Sequence, residues 1–193
     1  RGLGDLVHAA GDLATAREHH EKGLAIMKAL VEQDPSNSNW QRGLAVSHDK
    51  LGDLARATGD LDRAWEHYEK DRAIWKFLVD QDPRNASLRH ALAASHGKHG
   101  DFAQARGDLN RAREEYGEGY SILEALVEQN PRNADWQRNL AVSRGKLGDL
   151  AQATGDLTAA WEHHEKALTI LETLVKQDPR NAHWQLDLAI SHG

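Results

Sequence analysis

The 193-residue chain has no cysteine, one methionine, two phenylalanines and only four prolines. Without cysteine there is no disulfide framework, no thiolate metal site and no cysteine nucleophile. This fits a reducing compartment, and a cytoplasmic setting is the expectation. No apolar run approaches the roughly 20 residues that a bilayer span needs, and the opening residues do not show a signal-peptide pattern. Positive charge is outnumbered as well. Lys and Arg total 24 against 30 Asp and Glu, a net charge of −6 with histidine neutral. That balance disfavours a general nucleic-acid surface or an anionic-membrane surface.

The scarce prolines carry the main signal. Pro35, Pro83, Pro131 and Pro179 each follow the last by 48 residues. Gly4, Gly52, Gly100 and Gly148 keep the same step, as do Gly11, Gly59, Gly107 and Gly155, and Asp follows every one of the eight. Asn37, Asn85, Asn133 and Asn181 form another column, and Trp40, Leu88, Trp136 and Trp184 a further one. So many coincident columns define an internal repeat.

Each unit reads as two helices. In the second unit Asp34-Pro35 closes the preceding helix, because proline drives the residue before it out of the α region. Asn37 is placed to cap the next helix. Trp40, Leu44, Ser47, Leu51 and Leu54 then follow at spacings of three and four, one amphipathic face. Gly59 is the expected stop, since glycine takes a left-handed conformation without a Cβ clash. Asp60 caps the second helix, which carries Leu61, Ala64, Tyr68, Asp71, Trp75 and Leu78 on one stripe. Asp71 interrupts that stripe where the fourth unit has Ala167. Nothing reads as a strand. The expectation is an all-α solenoid, a single domain over 1–193 with helix pairs near 1–34, 35–82, 83–130 and 131–178 and a partial helix over 179–193.

The run Leu51-Gly52, Gly59-Asp60-Leu61, Ala64 and Tyr68 resembles the tetratricopeptide repeat (TPR) family. Matching positions recur at Leu3-Gly4 and Leu147-Gly148, at Ala16, Ala112 and Ala160, and at His20, Tyr116 and His164. The third unit has His99 in place of the leucine. The resemblance implies a right-handed superhelix of antiparallel helix pairs, with the first helix of each pair (helix A) lining a concave groove for a protein or peptide. This unit is longer than the family's usual one, and the tryptophan position of the family falls on His48, His96, Arg144 and His192.

Several residue groups invite a chemical reading. Gly-Asp pairs can cradle phosphate, but such a loop normally follows a strand, whereas Gly52 lies within a helix. Its expected role is to let a neighbouring helix approach closely. His19-His20 and His163-His164 diverge on a helix as adjacent residues. His96 and His99 are better spaced for a metal, yet their own helix face supplies no third ligand. Ser47-His48, Ser95-His96 and Ser191-His192 likewise diverge and make no nucleophile–base pair. Trp65, Trp75, Trp161 and the Trp40 column are expected in the core. No catalytic residue, metal or cofactor is therefore expected, and a non-catalytic scaffold is the leading reading.

Through the resemblance, the acidic ladder Asp5, Asp53, Asp101 and Asp149 would face the groove, with Arg56, Gln104 and Gln152 three residues after the last three. The candidate peptide-binding set is Asp53, Arg56, Asp101, Gln104, Asp149 and Gln152, suited to a basic or amide-rich peptide. The alternative for the ladder is local pairing, since Lys50, Lys98 and Lys146 stand three residues before the last three aspartates. Basic residues suited to gripping an acidic tail are missing from the matching positions Asp49, Gly97 and Gly145.

Arg1 and Gly193 hold the same repeat position, so the chain is expected to be part of a larger protein. Trp184 and Leu188 would then lie exposed on a half-helix. The second functional reading follows from that: a self-assembly or spacer module joining copies head to tail through Trp184 and Leu188 on one end and Leu3 and Leu6 on the other.

Overall fold

The computed structural model describes residues 13–192. The expectations placed on Leu3, Leu6 and Asp5 lie outside the described residues. Among those described there are eight helices and no strand: α1 (Leu13–Gln33), α2 (Ser38–Ala57), α3 (Leu61–Gln81), α4 (Ala86–Ala105), α5 (Leu109–Gln129), α6 (Ala134–Ala153), α7 (Leu157–Gln177) and α8 (Ala182–Ser191). The chain is an all-α solenoid of helix pairs. It divides into two compact units, one running to Leu88 and the other from Arg89. In the first, α1 packs on α2 and α2 on α3; in the second, α5 packs on α6, α6 on α7, and α8 on α7.

The joints explain the Gly-Asp columns. Gly59, Gly107 and Gly155 have φ of +78°, +79° and +83°. In each case the following aspartate N–H reaches back to a helix carbonyl: Asp60 to Ala55, Asp108 to Ala103 and Asp156 to Ala151, all at 2.9 Å. The glycine N–H bonds the carbonyl one residue further on, completing a Schellman stop. The same aspartate then caps the next helix, Asp60 Oδ1 accepting from the Arg63 N–H at 3.2 Å and Asp108 from Arg111 at 3.1 Å. One Gly-Asp pair thus ends a helix and starts its antiparallel partner.

The opposite joints are capped by the asparagine column. Asn37 Oδ1 accepts from the Asn39 and Trp40 N–H groups, and Asn133 and Asn181 do the same for Trp136 and Trp184. Gln41, Gln137 and Gln185 fold back to donate to the carbonyls of Pro35, Pro131 and Pro179.

Small and large residues alternate at the helix crossings. Ala16, Ala64 and Ala112 have no exposed surface, and Leu54, Leu78, Leu126, Leu150, Leu171 and Leu174 are buried. Each such leucine contributes about 1.5–3 kcal/mol of transfer free energy. Asp71 is buried in its stripe because Trp75 beside it donates its indole N–H at 2.7 Å. Two apolar expectations change. Trp184 and Leu188 are not left bare, since α8 lays them against Ala141, Ala167, Leu171 and Leu174. Trp161, expected in the core, is 70% exposed, and Leu157 one turn earlier is 68% exposed.

Candidate interaction cleft

The Leu-Gly-Asp run works as a three-residue device. A Cβ on Gly52 would stand 2.6 Å from the Tyr68 ring, and one on Gly148 2.7 Å from the His164 ring. Gly100 stands in the same relation to Tyr116. The glycine therefore admits an aromatic ring from its own repeat's second helix, which is the close approach that the sequence suggested, with its partner now identified. The next residue takes the ring's polar end: Tyr68 donates to Asp53 at 2.8 Å and Tyr116 to Asp101 at 2.7 Å. Burial and the adjacent carboxylate push both phenols far above the ordinary tyrosine range. In the fourth repeat His164 replaces tyrosine and stands 3.6 Å from Asp149, whose side chain is 64% exposed.

The acidic ladder is thus part of the fold. One of its lysines pairs differently from the local expectation. Lys146 bonds Asp101, 45 residues earlier on the neighbouring A helix, rather than Asp149 three residues later. Similar links cross between A helices elsewhere in the second unit. Asn139 meets His90 at 2.6 Å, and Arg138 grips Asp187 with two bonds. Burial lowers the His90 imidazole below its ordinary value.

These links frame a cleft of about 290 Å³ between α4 and α6, floored by α5. His90 and Asn139 mark one end, and Asp101, Lys98, Lys146 and the Tyr116 ring the other. The middle is mostly apolar, with Ala93, Ala94, Gly97 and Val142 as walls over Gly119 and Leu123. The repeats differ in side-chain size here. The second repeat carries Val46, Asp49, Asp71 and Trp75 where the third carries Ala94, Gly97, Gly119 and Leu123. The fourth repeat, with Val142, Gly145, Ala167 and Leu171 at these positions, keeps most of that reduction, so it is the second repeat that is bulky here.

Of the six residues picked from sequence, Asp101 lines the cleft, and Gln104 meets the same Tyr116 hydroxyl at 2.9 Å. Asp149 and Gln152 belong to the same unit and are exposed, outside the lining; Asp53 and Arg56 belong to the first unit. Sequence reasoning missed His90, Asn139, Val142 and Ser143. The drop in side-chain size after the second repeat was the available signal.

A second polar contact joins α2 to α3 and α4 to α5, in each case between residues nineteen apart. His48 Nδ1 meets His67 Nδ1 at 3.0 Å, and His96 Nδ1 meets Glu115 Oε2 at 2.8 Å. In the fourth repeat Arg144, at the matching position on α6, instead reaches back to α5 of the preceding pair, donating to the Tyr120 hydroxyl at 2.7 Å and lying 4.8 Å over its ring. His96 and His99 do not share a ligand: His96 faces Glu115, while His99 Nδ1 meets the Ser95 carbonyl at 3.0 Å. Among the described residues, no three His, Cys, Asp or Glu side chains are grouped to hold a metal ion, and no helix is long and apolar enough to cross a membrane.

Comparison with solved structures finds likeness to several repeat proteins. BtubC (BKLC) from P. vanneervenii is 15% identical over 93% of this chain and 83% of its own, with a TM-score of 0.47. TTC0263, a thermophilic TPR protein of Thermus thermophilus, is 17% identical over 98% and 95%, with a TM-score of 0.42. YrrB, described as a TPR protein with an unusual peptide-binding site, is 20% identical over 98% and 89%, with a TM-score of 0.31. No curated protein matches the chain. The family model for the tetratricopeptide repeat matches residues 8–74. That match covers Gly-Asp, alanine and aromatic positions that return every 48 residues along the chain, so residues 8–74 carry the tetratricopeptide repeat pattern and the later units repeat it.

Proposed function

We propose that the chain is a non-catalytic protein-interaction scaffold that holds a short extended peptide in the cleft between α4 and α6. One observation carries this reading. The cleft sets a mostly apolar middle between a His90–Asn139 end and an Asp101–Lys146 end, a concave surface with polar anchors suited to a peptide. From His90 to Asp101 the α4 wall runs about 16 Å at 1.5 Å per residue, a length that accommodates about five residues of extended chain at roughly 3.3 Å each. The polar ends would fix register and the apolar middle would take a side chain. The paired state of Asp53 and Asp101 argues against the ladder as the main contact; Asp101 serves instead at one end of the cleft. The test is selection of binders from a phage-displayed random dodecapeptide library, followed by affinity measurement on Val142→Glu. Loss of at least tenfold in affinity supports the reading. Failure to select any peptide, or equal affinity for the variant, counts against it.

A further inference from the structure

The polar contact between paired helices uses a different chemistry in each compact unit. In the first unit two imidazoles meet, His48 on α2 and His67 on α3, with Nδ1 to Nδ1 at 3.0 Å and ring centroids at 5.2 Å. His48 is buried and His67 half-buried. In the second unit the equivalent imidazole, His96 on α4, faces the buried carboxylate of Glu115 on α5.

We infer that the His48–His67 contact is an acid-sensitive catch, which loosens the α2–α3 pair at mildly acidic pH while the His96–Glu115 contact keeps the α4–α5 pair closed. The hydrogen bond needs one Nδ1–H donor and one bare Nδ1 acceptor. A first added proton leaves that bond possible but places a cation in a dry setting; a second removes the acceptor altogether. The surrounding groups do not offset this. Lys28 of α1 and Lys70 and Arg63 of α3 all oppose a charge at the pair, and Glu66 favours one. Burial, then the neighbouring His67, lowers His48 to about 4, and burial lowers His67 in the same direction. His96 instead faces the Glu115 carboxylate at 2.8 Å.

The direction follows from linkage. Both imidazoles of the first unit are lowered relative to the unfolded chain, so the open form binds more protons between about pH 6.5 and 4. Stability of the pair is therefore complete above that window and lost as pH falls through it. For His48 alone, the opening equilibrium should rise about 20-fold between pH 7 and pH 5.

Hydrogen exchange followed by mass spectrometry on the full chain, corrected for the intrinsic pH dependence of exchange, tests this. Protection of α2 and α3 amides should fall by about 20-fold or more from pH 7 to pH 5, and that of α5, which carries no histidine, by far less. His67→Glu, which copies the third repeat, should flatten or reverse the trend in α2–α3; His67→Gln should flatten it. Parallel loss of protection in α2–α3 and in α5 of the wild-type protein would overturn the inference. So would an unchanged trend in either variant.

Discussion

The Tyr116 hydroxyl lies 2.7 Å from Asp101 Oδ1 while its ring rests where a Gly100 Cβ would be. Fold and cleft meet at this pair, because Asp101 also bonds Lys146 of the neighbouring A helix and both Asp101 and Tyr116 line the cleft. Gly100→Ala forces a methyl into the ring and should destabilise the protein by about 1–3 kcal/mol. Tyr116→Phe keeps the ring and removes the donor, with an expected cost of about 1–2 kcal/mol. Urea denaturation measures both.

The ladder is not uniform, and its rungs should respond unequally. Asp101→Ala removes the carboxylate that the Tyr116 hydroxyl and Lys146 share, leaving Gln104 to the hydroxyl, and should cost about 1–3 kcal/mol. Asp149 faces His164 at 3.6 Å with most of its side chain in water. Asp149→Ala should stay within about 0.5 kcal/mol of wild type. Equal losses in thermal or urea unfolding would contradict the distinction.

Glycine substitutions separate three roles in one chain. Gly107 sits at φ +79°, so Gly107→Ala should cost about 1–2 kcal/mol from backbone strain alone. Gly145 lies inside α6, where an added Cβ would meet nothing within 4 Å. Gly145→Ala should therefore stabilise by about 0.5–1 kcal/mol through helix propensity. Midpoint shifts of opposite sign in urea titrations are the expected outcome.

Helix boundaries were legible in the sequence because local chemistry sets them: Gly59 needs its positive φ, Asn37 its cap, and Asp34-Pro35 its break. The 48-residue period supplied the pairing of helices, since each joint is only a few residues long and forces antiparallel neighbours. What was not legible were contacts that depend on distance between helices. The link from Lys146 to Asp101 crosses 45 residues, and nothing local favours it over Asp149 three residues away. Partial burial of Trp184 and exposure of Trp161 follow from which helix packs on which, although both residues read as equally apolar. The cleft was legible only in part. Asp101 was found through its column, whereas Gly97 and Gly119 matter by being smaller than Asp49 and Asp71.

The central claim is that this scaffold holds peptide in the cleft between α4 and α6. The most direct measurement is amide chemical-shift mapping of the 15N-labelled chain titrated with a phage-selected dodecapeptide. The account expects the largest perturbations at Ala94, Gly97, Gly119, Val142 and Ser143, with little change at Asp149 and Gln152. Saturable binding with its largest shifts on another face, leaving those five amides in place, would contradict it.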